Sequence, residues 1–296
     1  MNSLYLLVYR SYIALKKSVV GRSLCRWPAA VRGFDAAKRF IQRRVFPSRQ
    51  LWLQVQSGFA QGMWMHLCIP EEAGFWRGEH EPEVQATLTA MVGPADVVYD
   101  IGAHLGSIAL GAARLVGANG RVVAFDGDPA NILRLQENSA RNRLESSLQV
   151  VYAAVWSHTA TQGISFRRAR AGTSQGGVED GGHRPVLADG EIIHVPAITL
   201  DDFVAAGGPP PQLIKIDVEG GECEVLRGAE NLFRTQRPFL VVEVHHQQAD
   251  QQIRSWLDEF RYSAEWKIPK ENFPRCLIAW PAERDPHPLP ALEPGR

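Results

Sequence analysis

Five side chains that can hold or move a proton fall close together in the second half of the sequence. Lys215, Asp217 and Glu219 occupy alternate positions at the end of one apolar run, and Glu243 and His245 close the next one. Residues two apart point to the same side of a strand. If the two runs form neighbouring strands, the three acids and the histidine converge on one site. Such a site could remove a proton from a hydroxyl group.

Two mechanisms are open for this set. In the first, His245 or a carboxylate is the general base and no metal takes part. In the second, Asp217 and Glu243, with His245 or Glu219, hold magnesium or manganese, which orients and acidifies the hydroxyl. No ligand spacing demands a metal, so the base is the preferred hypothesis. An ion pair with Asp217 would also explain Lys215, and a helix start would also explain Glu219.

A second chemical signal is the stretch VVYDIGAHLG, residues 97–106, in which a buried strand ends and two glycines allow a tight turn. In an open parallel sheet, ligands bind beyond the carboxyl ends of the strands. The dinucleotide pattern G-x-G-x-x-G fails here, and no P-loop lysine follows, so neither a nicotinamide cofactor nor a P-loop nucleotide is favoured. The predicted cofactor-binding residues of this turn are Asp100, Gly102, Ala103, His104 and Gly106.

The next strand, RVVAFD, ends in Asp126, twenty residues after Gly106. Doubly wound folds place an acid at this position on ribose hydroxyls. Asp128 serves better as the cap of the helix that follows, which leaves Asp126 for the ribose. A nucleoside cofactor without a phosphate fits these features, and S-adenosylmethionine is the obvious one.

With these motifs in view, the chain resembles the FkbM family of S-adenosylmethionine-dependent methyltransferases over roughly residues 78–266. The segments that carry the resemblance are FWRGEHEPE, VVYDIGAHLGSIAL, VVAFDGDPANILRLQENSARN, ITLDDF, LIKIDVEGGECEVLRGAENLF and FLVVEVHH. The block IKIDVEGGE is the most specific. The resemblance implies a class I methyltransferase fold and methyl transfer to oxygen, commonly on a hydroxyl of a sugar or another natural product.

The chain departs from the family at two cofactor positions. The family usually has Asn where His104 stands and Glu-Pro where Asp126 and Gly127 stand. Asp126 keeps the acid, and His104 keeps a polar side chain near the methionine part of the cofactor. Both departures leave the chemistry possible.

The elements that must position these residues follow from the apolar periodicity. From residue 97 onward, β-branched runs alternate with helical segments, which predicts a mostly parallel sheet with helices on both faces. With the resemblance, this becomes a doubly wound Rossmann-like sheet of seven strands, one of them antiparallel. Residues 148–156 are predicted as one strand and 221–233 as one helix. Residues 262–267 and 275–280 are predicted as a final antiparallel pair.

The chain is predicted to have four segments. A basic helical segment covers residues 1–50, a β-hairpin lead-in covers 51–80, the methyltransferase domain covers 81–281, and a proline-rich irregular tail covers 282–296. The glycine-rich stretch 167–184 interrupts the alternation, and it is either a substrate lid or an unimportant insertion.

Charge and composition limit the partners. The chain has no net charge, but residues 1–50 carry eleven Lys and Arg and one acid, Asp35. That basic stretch is a solvated helix face, or a peripheral contact with the inner face of the membrane. No aromatic RNA-binding pattern accompanies it, so no nucleic-acid partner is expected. Four scattered cysteines form neither a zinc pattern nor a disulfide framework, which favours the cytoplasm.

The expected partner is therefore a hydroxylated small-molecule or glycan acceptor, and the sequence sets no oligomeric state. The alternative hypothesis is a catalytically silent binding or assembly protein on the same fold.

Overall fold

A computed structural model describes residues 48–168, 176–179, 190–266 and 273–284, together with the single positions 7, 10, 11 and 14. Most of the predicted basic segment, parts of the 167–184 stretch and the tail after residue 284 therefore lie outside the described residues. At position 10, the Arg10 guanidinium lies 4.9 Å from the ring centroid of the buried Trp76. No helix of the described part of the chain has the length and apolar character needed to cross a membrane.

The described residues form strands and helices with the following bounds. The strands are β1 (Arg49–Gln54), β2 (Trp64–Ile69), β3 (Val97–Ile101), β4 (Arg121–Asp126), β5 (Leu148–Tyr152), β6 (Ala154–Val155), β7 (Ala160–Arg167), β8 (Gly177–Val178), β9 (Ile192–Ile198), β10 (Leu213–Ile216), β11 (Phe239–Val244), β12 (Tyr262–Trp266) and β13 (Arg275–Pro281). The helices are α1 (Ala73–Arg77), α2 (Pro82–Met91), α3 (Ser107–Val116), α4 (Pro129–Arg141), α5 (Leu200–Ala205), α6 (Glu222–Arg227), α7 (Glu230–Thr235) and α8 (Gln247–Glu259).

The main sheet has seven strands in the order β5-β4-β3-β10-β11-β13-β12, and β13 is antiparallel to both of its neighbours. The other neighbouring pairs are parallel. This confirms the predicted fold class. Strand order reverses between β3 and β10, and that is where an open α/β sheet binds its ligand.

The sheet is buried on both faces because its central strands are apolar throughout. One core holds Val98, Leu110 and Leu213 beneath α2, α3 and the β1–β2 hairpin. The other holds Tyr99 and Ile216 beneath the helices of the C-terminal half. Central strands buried on both faces are expected to be almost continuously apolar, so a charge inside one of them requires a partner.

The hairpin is held against the main domain by side chains of α4. Asn138 Oδ1 accepts from His66 N at 2.7 Å, and Asn138 Nδ2 donates to Leu105 O at 2.9 Å. Asn142 Oδ1 accepts from Trp64 N at 2.9 Å. Arg134 pairs with the buried carboxylate of Glu72. These contacts fix the hairpin beside the glycine turn that precedes α3.

Two predicted elements are divided in the structure. Residues 148–156 form two strands, because the chain leaves the main sheet at Ala153 and β6 joins a second sheet of order β6-β9-β7-β8. Residues 221–233 form α6 and α7, separated at Gly228, where an added Cβ would meet Trp156 O at 2.1 Å. The predicted final pair, β12 with β13, is confirmed.

Candidate active site

The turn after β3 forms the floor of the candidate site. Gly102 and Ala103 both donate their N–H groups to Phe125 O, which ties the turn to β4. Gly102 has a φ of +78°, and an added Cβ would lie 1.8 Å from Asp217 O. Only glycine allows both this conformation and the close approach of the backbone that follows β10.

Asp126 lies at the end of β4, where it organises the same turn. Its Oδ2 accepts from His104 N at 2.8 Å, and its Oδ1 accepts from Asp128 N at 2.8 Å and Asn131 Nδ2 at 3.2 Å. Burial raises the pKa of Asp126 to about 7, although these donors oppose the shift. Each carboxylate oxygen can accept two hydrogen bonds, so Asp126 retains acceptor capacity.

A cavity that is open to solvent lies above this turn. On the β4 side it is lined by Asp126, Gly127 and Asn131, and on the β10 side by Lys215, Asp217 and Glu219. Apolar walls come from side chains of β4, β6, β7 and the segment after β6, namely Phe125, Val155, Phe166 and Trp156. A pocket with apolar walls and a few polar groups suits a small organic ligand.

Lys215 is buried at the centre of the β10 side. Its Nζ lies 3.3 Å from Asp100 Oδ1, 3.5 Å from Asp217 Oδ2 and 4.0 Å from Glu81 Oε2, and it donates to Gly102 O at 3.4 Å. Burial alone would lower the pKa of Lys215, but the surrounding carboxylates raise it well above its usual value. Lys215 is therefore a fixed positive charge and the register partner of the fully buried Asp100.

His245 is held from behind by a buried acid. Its Nδ1 lies 2.6 Å from Glu222 Oε1, and its Nε2 lies 3.5 Å from Asp217 Oδ1 and 3.4 Å from Glu219 Oε2. Burial alone would lower the pKa of His245, but Glu222, Asp217 and Glu219 raise it to about 9. Burial raises the pKa of Glu219 to about 7, and His245 opposes that shift. At neutral pH the histidine carries a proton, while Glu219 titrates.

Two groups of side chains within the described residues could hold a cation by distance alone. One atom from each of Asp217, Glu219 and His245 lies within 4.8 Å of the others, and the same is true of Glu81, Asp217 and Glu243. The second group already faces the ammonium of Lys215, so its charge is partly balanced.

The structure brings together the side chains predicted from the two strand ends. Asp217, Glu219 and Lys215 line the cavity, as do Gly102, Ala103, His104 and Asp126 of the predicted cofactor set. Glu243 and His245 lie behind them in the two groups just described. Asp100 is fully buried and pairs with Lys215, and Gly106, with a φ of +84°, is the N-cap residue directly before α3.

Sequence reasoning missed Glu81, His80 and Glu222. His80 and Glu81 line the cavity from the segment between α1 and α2. Glu81 directly precedes Pro82 at the start of α2, and Glu222 begins α6, so each has the appearance of a helix-terminal acid in the sequence. Only the fold shows that Glu222 is buried against His245.

A family comparison decides the class of protein. The profile of the methyltransferase FkbM domain matches residues 100–264, which is more than half of the chain. The chain belongs to the FkbM methyltransferase family. The match runs from the end of β3 into β12 and therefore contains the glycine turn, Asp126, Asp217, Glu219 and Glu243.

A curated relative, the hexuronic acid methyltransferase AglP of Haloferax volcanii, is 29% identical over 171 residues. That alignment covers 57% of this chain and 64% of AglP, so the chain spans a little less than two thirds of this relative.

Solved structures resemble the chain more weakly. A methyltransferase FkbM from Methylobacillus flagellatus has a TM-score of 0.44 at 19% identity, covering 62% of this chain and 43% of that one. Fibrillarin from Aeropyrum pernix, with bound S-adenosyl-L-methionine, has a TM-score of 0.41 at 12% identity, covering 67% and 74%. Because both TM-scores are below 0.5, the fold class rests on the strand order of this chain.

Proposed function

We propose that this chain is an S-adenosylmethionine-dependent O-methyltransferase that acts on a hydroxyl of a sugar. The observation that carries the proposal is one cavity in which Asp126, at the end of β4, and Asp217 and Glu219, after β10, face the same space. Asp126 suits the hydroxyls of a ribose, whereas Asp217 and Glu219 suit an acceptor hydroxyl that must lose a proton. The chain that carries them belongs to a methyltransferase family.

The residues of the cavity fit the cofactor. Asp126 would accept from the ribose hydroxyls, and the Gly102 turn would let the ligand approach the backbone closely. The apolar walls would cover the adenine, because a flat aromatic base packs well against apolar and aromatic side chains. The cofactor, when bound, supplies a methyl group already activated on a sulfonium. The protein then has to align the acceptor and remove its proton.

Glu219 is the best general base among the candidates. It lines the cavity, and its pKa of about 7 matches a proton acceptor that works near neutral pH. His245 is protonated at that pH, because the buried Glu222 holds a proton on it. Its positive charge lies 3.4 Å from Glu219 Oε2 and keeps that carboxylate in place. A divalent cation on Asp217, Glu219 and His245 is the alternative, and it would use the same side chains.

The acceptor is proposed from the relative. AglP is named a hexuronic acid methyltransferase, and the polar β10 side of the cavity is compatible with a sugar. The peripheral membrane contact of residues 1–50 and a cytoplasmic location stay predictions. Vesicle sedimentation of the intact chain and of a chain lacking residues 1–50 would test the first, and equal pelleting would contradict it.

The experiment that tests the function is calorimetric titration of the full chain with S-adenosylmethionine and, separately, with NADH. We expect saturable binding of S-adenosylmethionine alone, and its loss in Asp126→Ala. The control is Asp258→Ala, which removes an exposed acid of α8 and should bind as the wild type does. No binding to folded wild-type protein would overturn the proposal.

Methyl transfer is then assayed on a panel of sugars that includes hexuronic acids. Transfer of the labelled methyl group to a sugar oxygen supports the enzyme. Binding of the cofactor without transfer to any hydroxyl acceptor would favour the rival, a silent binding protein on the same fold.

A further inference from the structure

Glu81 occupies a strained position beside the cavity. Its φ and ψ are 47° and 55°, a left-handed conformation that is uncommon for a residue with a side chain. The amide of Gln85 holds the segment in place, because Nε2 donates to His80 O and to Gly78 O while Oε1 accepts from Phe59 N at 2.8 Å. Strain of this kind persists where surrounding contacts enforce it, and it is concentrated at ligand sites.

This conformation turns the Glu81 carboxylate toward the cavity with one oxygen uncommitted. Oε1 lies 2.9 Å from His80 Nε2. Oε2 is buried and receives no hydrogen bond from the residues that the structure describes. Lys215 Nζ lies 4.0 Å from Oε2, which is longer than a hydrogen bond. A buried acceptor without a donor is costly, so a ligand donor at this point would be favoured.

The charge around Glu81 favours a cationic donor over a neutral one. Lys215 is a single ammonium, and it faces the carboxylates of Asp100, Asp217, Glu81 and Glu243. The two nearby imidazoles add no positive charge at neutral pH, because burial lowers the pKa of His80 to about 4 and that of His104 to about 3. Burial raises the pKa of Glu81 to about 8, so in the empty site a proton on Glu81 offsets part of this surplus of negative charge. A bound cation would take the place of that proton, and Glu81 would release it to solvent.

Glu81 lies on the glycine-turn side of Asp217 and Glu219. Lys215 donates to Gly102 O, and the Phe75 ring lies 4.1 Å from the centroid of His80 and 5.4 Å from that of His104. His80, Glu81 and His104 therefore form one wall next to the turn, whereas His245 and Glu222 lie beyond Asp217 and Glu219.

We propose that Glu81 binds the α-ammonium of the cofactor's methionine part and so selects a ligand that carries this group. The proposal rests on the proposed function, since it needs that cofactor in the cavity. A sugar hydroxyl would bring a donor but no charge, and would leave the surplus of carboxylates unbalanced. The ammonium supplies both the donor for Oε2 and the missing charge.

The experiment compares two ligands that share the nucleoside thioether and differ in the amino-acid part. S-Adenosylhomocysteine carries the ammonium, and 5′-methylthioadenosine lacks it. Both are titrated calorimetrically into the full-length wild type, Glu81→Gln and the control Glu83→Gln, which alters an acid two residues away that does not line the cavity. We expect Glu81→Gln to weaken S-adenosylhomocysteine at least tenfold, since hydrogen bonds to charged groups contribute about 1.5–3 kcal/mol.

Methylthioadenosine should bind Glu81→Gln within about twofold of the wild type, and Glu83→Gln should bind both ligands normally. The thermal midpoint and methylthioadenosine binding report whether each variant is folded. Equal weakening of both ligands, or no weakening of either, would overturn the role of Glu81. An unchanged S-adenosylhomocysteine affinity with a raised KM for the sugar would instead assign Glu81 to the acceptor. Failure of the wild type to bind either ligand would overturn the proposed function itself.

Discussion

Three residues of the cavity wall, Glu81, His104 and Glu219, have left-handed backbone conformations, with φ values of 47°, 50° and 54°. Such a conformation costs on the order of 1–3 kcal/mol for a residue with a side chain. This conformation occurs at three polar positions around one cavity. The fold therefore accepts a lower free energy of unfolding in return for directing these side chains toward the cavity. His is, with Asn and Asp, one of the residue types enriched in this region, so His104 suits its conformation better than Glu81 and Glu219 suit theirs.

At the residue scale, Glu219→Gln should reduce kcat by about 10²–10⁴, the usual contribution of a general base, while S-adenosylhomocysteine binds as before. Because burial raises the pKa of Glu219 to about 7, its carboxylate is protonated and inactive below that pH. We therefore expect kcat/KM of the wild type to rise with pH through about 7. The measurement is a pH–rate profile with labelled cofactor.

The control for this variant is Glu230→Gln, an exposed acid of α7 that should leave kcat unchanged. Full activity of Glu219→Gln would contradict the base. Activity that is lost with EDTA and restored by manganese would favour the metal alternative.

At the element scale, Asn138 of α4 joins the β1–β2 hairpin to the glycine turn beneath the cavity. Asn138 satisfies one backbone donor and one backbone acceptor, both from other elements. Asn138→Ala should lower the free energy of unfolding by about 2–4 kcal/mol, because His66 N and Leu105 O lose their partner. The measurement is equilibrium denaturation in urea.

The neighbouring Ser139 is the matched control. It is also buried on α4, but its Oγ makes no hydrogen bond to the described residues, so Ser139→Ala should change the free energy of unfolding by less than about 1 kcal/mol. Equal losses in the two variants would show that the hydrogen bonds of Asn138 are not what stabilises the contact.

Prediction from the sequence succeeded where the signal is local and failed where it depends on distant pairing. The α/β alternation and the Asp128 cap are visible because periodicity and capping chemistry lie within a few residues. The division of residues 148–156 could not be predicted from local sequence, because β6 pairs with β9, a strand some forty residues later. Glu222 and Glu81 were missed because burial of a helix-terminal acid depends on elements packed against it.

At the scale of the whole molecule, the buried groups of the site should make stability depend on pH. The folded-state pKa values of Glu81, Glu219 and Asp126 are raised by burial to about 8, about 7 and about 7, and that of His245 is raised by Glu222 to about 9. Each of these groups binds its proton more tightly in the folded state. Its stabilising contribution is therefore complete below the unfolded pKa and lost as pH rises through the folded pKa.

His80 and His104 have lowered pKa values and act in the opposite sense, so their contribution is lost as pH falls through about 4 and about 3. We expect the thermal midpoint of the ligand-free protein to fall as pH is raised from about 6.5 to about 9. The measurement is calorimetry across that range. The double variant Glu81→Gln/Glu219→Gln should show a shallower fall, and a midpoint that rises with pH would contradict the account.

The placement of β10 between β3 and β11 has a consequence for how the chain is made. Until the ribosome has produced residues 213–216, β3 has an open edge, and the Asp100 carboxylate has no Lys215 to pair with. Open apolar edges of incomplete sheets are where nascent chains aggregate. The candidate site is thus completed only after residues 213–216 have been synthesised, and until then the sheet keeps an open edge at β3.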